Sequence, residues 1–151
     1  MGKIDEIYMS EALKEAKCAS EENEVPVGCV IVHGHKIISR AHNQVERLKD
    51  PTAHAEMLAI TSAANFLCSK WLNDCFIYVT IEPCSMCAGA LVLARIKNLY
   101  FGAIDPKAGA CGSVINIAHH NKLNHRIKVK SGILEDKCRA LLKEFFKKKR
   151  K

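Results

Sequence analysis

A histidine, a carboxylate and two cysteines are spaced in this chain like the parts of a hydrolytic zinc site. His54 and Glu56 flank a single alanine, and Cys84 and Cys87 follow thirty and thirty-three positions after the histidine. One imidazole and two thiolates leave the fourth tetrahedral position of zinc to water, which is typical of a catalytic site. Glu56 is then an acid beside the metal that can carry protons without being a ligand.

Both halves of this pattern are predicted to begin helices. Pro83 suits a first helical turn because its missing N–H has no intrahelical partner there, and cysteines three positions apart share one helix face. Residues 50–52 are turn and cap types before a helix predicted to begin at His54. The positive end of a helix also favours the thiolates that zinc requires. Two helix starts aimed at one point would gather all four side chains around a single metal.

Length, composition and charge limit the classes of protein to consider. The chain has 151 residues, of which 48% are apolar and 26% charged, as in an ordinary soluble globular domain. Its apolar runs are shorter than a membrane span, and its start lacks the pattern of a secretory signal. We predict one domain over residues 1–151, a cytoplasmic location and no membrane partner. The net charge of +7 is compatible with a polyanionic partner, but it is also common among basic enzymes.

The eight cysteines are expected to be reduced thiols, because no secretory signal accompanies them. Only Cys84 and Cys87 have the spacing of metal ligands. Cys111 lies in a glycine-rich segment that could approach the site, although packing is the simpler interpretation. The remaining five fall in apolar periodic stretches and are predicted to be small core residues: Cys18, Cys29, Cys68, Cys75 and Cys138.

Hydrophobic periodicity predicts the order α-β-β-α-β-α-β-β-α along the chain. Helices are expected over residues 4–20, 54–67, 84–95 and 134–146. Strands are expected over residues 26–32, 36–41, 76–81, 99–102 and 127–129, with loops over 43–52 and 103–124. Strands that alternate with helices indicate a layered α/β fold with helices on both faces of the sheet. The two short junctions before the predicted helices at positions 54 and 84 would carry the site.

With these residues placed, the chain resembles the cytidine-deaminase-like superfamily and, within it, the bacterial tRNA-specific adenosine deaminases. The matching segments cover nearly the whole chain, at residues 25–28, 42–43, 50–56, 82–90, 101–103, 124–126, 132–134 and 145–146. The histidine-and-cysteine motif is common to the superfamily. The Asp-Pro-Thr-Ala-His-Ala-Glu, Asn-His-Arg and Phe-Phe segments point more narrowly to the tRNA enzymes. The resemblance implies a three-layer α/β/α fold around a mixed five-stranded sheet.

The activity that the resemblance implies is zinc-dependent, hydrolytic deamination of adenosine to inosine at the wobble position of a tRNA. An arginine tRNA is the expected substrate, and its anticodon loop is the expected partner. One zinc ion per subunit would be held by His54, Cys84 and Cys87, with Glu56 as the proton shuttle. The resemblance further implies a homodimer.

Four substrate-binding residues are carried over from the same resemblance. Asn43 matches the family asparagine that hydrogen-bonds the base. Ala55, through its backbone, and Val27, by apolar contact, would help to shape the base pocket. Asp105 lies in the family's substrate-contacting loop.

That substrate-contacting loop departs from the family pattern at three positions. Ile104 stands where a basic residue is expected, Pro106 follows the aspartate, and Cys111 replaces a small residue. At the end of the chain, two phenylalanines precede the basic run 147–151. This run is suited to RNA contact and equally to a solvated helix end, so the two interpretations stay open.

Two other functions are compatible with parts of the pattern. The first is a deaminase of a free base or nucleoside, such as guanine or cytosine, which would share the metal site. The second is a zinc-stabilised RNA-binding module without enzymatic activity. Glu56 argues against the second, because a purely structural zinc site has no need of an unligated acid.

Overall fold

A mixed five-stranded sheet forms the middle layer of the structure, a computed structural model that describes residues 2–149. The strands are β1 (Gly28–His33), β2 (Lys36–His42), β3 (Cys75–Ile81), β4 (Asn98–Ala103) and β5 (Lys128–Ser131). Their order across the sheet is β2-β1-β3-β4-β5. β1 runs antiparallel to β2 and β3, whereas β4 runs parallel to β3 and β5.

Helices cover both faces of this sheet, which confirms the predicted α/β fold class. The helices are α1 (Lys3–Glu21), α2 (Val45–Leu48), α3 (Ala55–Leu67), α4 (Ser85–Leu93) and α5 (Glu135–Lys149). α1 and α5 pack on one face, and α3 and α4 pack on the other. No helix within residues 2–149 has the length and hydropathy needed to cross a membrane.

One predicted loop contains a short helix. α2 lies inside residues 43–52, which were expected to be irregular. The carboxylate of Glu24 accepts hydrogen bonds from the backbone N–H groups of Glu46 and Arg47, at 3.0 and 2.8 Å. N–H groups at a helix N-terminus have no partner within the helix, so they need an acceptor from outside it. The acceptor lies more than twenty positions earlier in the chain, so local patterning does not reveal the helix.

The cysteine predictions were partly wrong. Cys29, Cys75 and Cys138 are buried as expected, but Cys18 and Cys68 are exposed. Cys18 lies on the outer side of α1. Cys68 ends α3 in a left-handed conformation with φ of 52°, beyond the packed part of that helix. Apolar periodicity identified the helices, but it did not show whether a small residue such as cysteine faces the sheet or the solvent.

β1 is buried on both of its faces and sets how closely α1 can approach the sheet. Its apolar run has no alternation because Val30 and Val32 face α1, while Cys29 and Ile31 face the opposite layer. At Gly28 an added Cβ would lie 2.2 Å from the carbonyl oxygen of Ala12. The helix therefore packs directly on the backbone of this glycine.

Gly28→Ala is expected to destabilise the fold by about 3 kcal/mol, the upper part of the range for overpacked cores. The two nearest atoms that a methyl group would meet belong to the backbone of α1 and the third is Cβ of Glu15, so a rotamer change cannot relieve the clash. Urea unfolding followed by circular dichroism measures the change. Gly2→Ala is the matched control, because its Cβ has nothing within 4 Å. Equal midpoints for the two variants would contradict this account of the packing.

Candidate metal centre and substrate cavity

The structure brings His54, Cys84 and Cys87 together at one edge of the sheet. The Nδ1 atom of His54 lies 3.6 Å from Sγ of Cys84 and 3.5 Å from Sγ of Cys87. Zinc bonds of about 2.0 Å to nitrogen and 2.3 Å to sulfur, at a tetrahedral angle, require a separation of about 3.5 Å. All three donor atoms lie within 4.8 Å of one another. The donor set and its spacing therefore fit a zinc ion.

Two helix starts create this convergence. β2 and β3 both end at the same sheet edge, and the chain enters α3 and α4 soon afterwards. His54 and Cys84 are the N-cap residues of these helices, in extended conformations with ψ of 152° and 177°. Both were expected one position further in, as helical residues. Neither side chain caps its own helix, so both remain available to a metal.

The environment of the cysteines favours a thiolate. The Cys87 thiol donates a hydrogen bond to the sulfur of Cys84, which lowers the pKa of Cys84 although that side chain is partly buried. The Cys87 backbone N–H and the nearby imidazole of His54 act in the same direction. The N-terminus of α4 adds a positive potential at this point. A metal ion could replace the proton that the Cys87 thiol donates to Cys84, and these groups would already stabilise the negative charge of the thiolate.

Glu56 lies in the first turn of α3, beside the three donors and outside their cluster. Its side chain is only 3% exposed. Burial raises the pKa of Glu56 to about 7, because the charged form loses its hydration. A carboxyl group that titrates near neutral pH can both accept and release a proton, as general acid–base chemistry requires.

A cavity of about 560 Å³ opens beside the three donors. This is within the usual size range of small-molecule sites. Apolar walls and a few polar groups face it, from Val25, Val27, Asn43, Val45, His54, Glu56, Ile81, Glu82, Cys84, Asp105, Pro106, Lys107, Leu142 and Phe146. The cavity thus connects the donors and Glu56 with the loop that follows β4 and with the last turns of α5.

Three of the four predicted substrate residues line this cavity. Asn43 is 9% exposed, and its Oδ1 accepts the backbone N–H of Ala55 at 3.0 Å, which orients the amide. The carbonyl of Val27 accepts the N–H of Asn43 at 3.1 Å. Asp105 lines the cavity from the loop after β4. Ala55, the fourth, is fully buried, and its N–H is already bonded to Asn43.

The sequence model of the MafB19-like deaminase family matches residues 4–150. The chain belongs to the MafB19-like deaminase family. It is 55% identical over 150 residues to the tRNA-specific adenosine deaminase of Aquifex aeolicus, covering 99% of this chain and 97% of that protein. It is 48% identical over 147 residues to the Bacillus subtilis enzyme of the same name, covering 97% and 91%.

A solved structure shares the fold of this deaminase at a TM-score of 0.87 and 41% sequence identity. The match covers 90% of this chain and 99% of that chain. That structure comes from studies of A-to-I editing by tRNA:A34 deaminases at the wobble position of transfer RNA. The deaminase described here is accordingly a hydrolase built on the same three layers.

Sequence reasoning missed two buried carboxylates: Glu82 in the wall of the deaminase cavity, and Glu24 next to the wall residue Val25. Glu24 and Glu82 are each 2% exposed; Glu24 accepts backbone N–H groups of α2, and Glu82 accepts those of the loop after β4. For Glu82, burial opposes ionisation, but hydrogen bonds from Ser113, Asp105 and Cys111 outweigh it and lower its pKa. In the sequence, the only local sign of these two carboxylates is that each lies one or two positions before a proline, Pro26 or Pro83, at the start of a predicted strand or helix.

The C-terminal helix also contributes to the cavity, as the sequence did not indicate. Leu142 and Phe146, one turn apart on α5, are among its lining residues. The basic residues 147–149 continue the same helix and are exposed. Arg150 and Lys151, the end of the basic run for which RNA contact and a solvated helix end both stay open, lie outside the described residues.

Proposed function

We propose that this chain, acting as one domain, converts adenosine to inosine at the wobble position of a tRNA, with an arginine tRNA as the substrate. The observation that carries this proposal is its similarity, over nearly the full length, to proteins named tRNA-specific adenosine deaminases. The cytoplasm is the compartment we propose, since tRNA and eight reduced thiols are both expected there.

One zinc ion per subunit would be held by the imidazole of His54 and the sulfurs of Cys84 and Cys87. The mixed nitrogen and sulfur donor set suits zinc, and three protein ligands leave room for a water. When bound, zinc supplies a Lewis acid that lowers the pKa of water toward about 7.

Glu56 moves the protons of the proposed reaction. It accepts a proton from the attacking water as the water oxygen bonds to C6 of the adenine, and it delivers that proton to N1. It then passes the hydroxyl proton to the exocyclic amine, the C6–N bond breaks, and ammonia leaves. Inosine and one ammonia are formed from adenosine and one water. Burial suits this role, because the raised pKa of Glu56 lets it be reprotonated near pH 7.

The walls of the cavity would hold the base and its neighbours. We propose that Asn43 hydrogen-bonds the adenine and that Val27 makes apolar contact with it. Ala55 acts by bonding and orienting Asn43, rather than through a free N–H of its own. Asp105 would contact the adjoining nucleotide from the loop after β4. An anticodon loop can supply this base with less unstacking than a duplex, and the charge of +7 favours a polyanion.

An inosine assay tests the proposed function. The substrate is an anticodon stem-loop of an arginine tRNA with adenosine at the wobble site. The same stem-loop with that adenosine moved by one position is the matched control. Free adenosine, guanine and cytidine are incubated in parallel. Inosine in the first substrate alone supports the proposal, whereas product from a free base, with none from the stem-loop, identifies the chain as a free-base or nucleoside deaminase.

We also propose a homodimer, formed through the outer side of α4. A groove of about 630 Å³ there is lined almost entirely by apolar groups, from Met57, Ser85, Met86, Gly89, Ala90, Val92, Leu93, Ile117 and Leu123. Leu93 is 80% exposed. A contiguous exposed apolar patch of this kind is typical of an interface, and a two-fold axis would place the same patch of both copies in contact.

Leu93→Arg is expected to convert the dimer to a monomer. The substitution places a charge in the apolar contact of each copy, where it has no partner and loses its hydration. Light scattering coupled to size-exclusion chromatography measures the mass. Phe66→Arg is the matched control, because Phe66 is 64% exposed but lies outside the groove, and it should leave the mass unchanged. A dimeric Leu93→Arg protein would exclude this face as the interface.

A further inference from the structure

Glu82 lies between the end of β3 and the proline that precedes α4. The residue is 2% exposed, yet no lysine, arginine or histidine within residues 2–149 forms a salt bridge with its carboxylate. A buried carboxylate requires several hydrogen bonds to replace its hydration. Its partners therefore show what the residue holds in place.

All of these partners lie in one loop, which runs from residue 105 to residue 113. Oε1 accepts the backbone N–H of Asp105 at 3.0 Å and the hydroxyl of Ser113. Oε2 accepts the backbone N–H groups of Cys111 and Ser113, each at 3.0 Å. Both ends of the loop are thus bonded to one carboxylate. Three of the four donors are backbone N–H groups, which do not depend on residue type and so leave no sequence pattern.

The loop is also shaped to receive this carboxylate. A Cβ atom on Gly109 would lie 2.4 Å from Cδ of Glu82, so only glycine allows the loop to pack against it. The N–H of Ala110 is bonded to the carbonyl of Pro83 at 2.9 Å. Oδ1 of Asp105 accepts the N–H groups of the two residues after Pro106, at 3.0 and 3.1 Å. These contacts stabilise residues 105–107, which form one wall of the cavity.

We propose that Glu82 is a positioning residue, which sets the distance between the substrate wall at 105–107 and the helix start that carries Cys84. Only Pro83 separates Glu82 from this cysteine, so one side chain connects the loop to the metal centre. The inference rests on the proposed function, since it treats the wall as the surface that contacts the nucleotide beside the target base.

Glu82→Gln tests this role at nearly constant volume. An amide has a single acceptor oxygen, so one of the two carboxylate positions must become an NH₂ group. The Oε1 position is favoured for that group, because the Ser113 hydroxyl can turn and accept there. The NH₂ group then faces the N–H of Asp105, and the two donors repel each other. The variant should therefore release the Asp105 end of the loop and keep the Cys111 end.

The expected result is a rise of about tenfold in KM for the anticodon stem-loop, the size that one lost hydrogen bond of ordinary strength predicts. The turnover number and the metal content should stay near those of the unmodified protein. Hydrogen–deuterium exchange should become faster at the amide of Asp105. A merely structural role would instead lower the melting temperature and the active fraction, and with it the apparent kcat, at unchanged KM. That outcome would overturn the proposal.

Two further variants keep the test independent of one substitution. Gly109→Ala pushes the loop away from an intact Glu82, and it should raise KM in the same way. Ile133→Val removes one methylene group from the buried layer between the sheet and α5, and it should lower stability without changing KM. If the unmodified protein forms no inosine in the stem-loop, the proposed function fails. Hydrogen–deuterium exchange at the Asp105 amide, compared between Glu82→Gln and the unmodified protein, then still decides whether Glu82 holds the loop. That measurement needs no substrate.

Discussion

Glu56→Gln is expected to retain its metal and to lose turnover by about 10²–10⁴-fold, the usual contribution of a positioned general acid–base. The substitution preserves the volume of a side chain that is only 3% exposed, so the packing of α3 should not change. It removes the group that can exchange a proton near neutral pH. The donor cluster does not include Glu56, so metal binding should survive.

Two measurements on the same preparation separate the parts of this prediction. Metal content per chain is determined by mass spectrometry of the ion, and inosine formation is followed on the anticodon stem-loop. Glu6→Gln, an exposed glutamate in the first turn of α1, is the matched control and should match the unmodified protein in both. Near-normal turnover in Glu56→Gln would refute the proton-transfer role.

His54→Ala is expected to lose both the metal and the activity. The imidazole is one of three donors, and the remaining two sulfurs cannot by themselves complete the site. Metal content should fall from about one ion per chain to a small residue, because the ligand count and the geometry decide affinity. The variant should also melt at a lower temperature than the metal-loaded protein, since a ligand that binds only the folded state stabilises it.

His33→Ala is the control for that experiment, because His33 ends β1 at the opposite edge of the sheet. It should keep the metal, the activity and the melting temperature. A strong chelator should reduce the unmodified protein to the state of His54→Ala, and added zinc should restore only the unmodified protein. Full metal content in His54→Ala would rule out ligation by this imidazole.

The three candidate metal donors could be identified from the sequence because their geometry is local. Cysteines three positions apart at the start of a helix have nearly the separation that zinc requires, whatever surrounds them. Pro83 marks that start, and residues 50–52 mark the start of the helix after His54. The structure shifted these positions by one residue, to the N-caps, and neither side chain forms a capping hydrogen bond with its own helix.

Contacts between distant segments were not accessible in the same way. α2 exists because Glu24 accepts its first N–H groups, and no pattern within residues 43–52 shows that acceptor. The exposure of Cys18 and Cys68 depends on which side of each helix meets the sheet. The fifteen-residue helix α5 was predicted, but not that Phe146 would reach the cavity.

By itself the sequence determined the donor set, the adjacent acid and the class of fold, since these follow from spacings of a few residues and from the alternation of strands and helices. The tertiary structure decided the shape of the cavity that the donors face. Its walls come from the segment before β1, the turn into α3, the loop after β4 and the end of α5. The bonds of Glu24 and Glu82 hold two of these walls across more than twenty positions of chain. Such hydrogen bonds form only when the sheet has brought distant segments together, so a local sequence pattern cannot predict them.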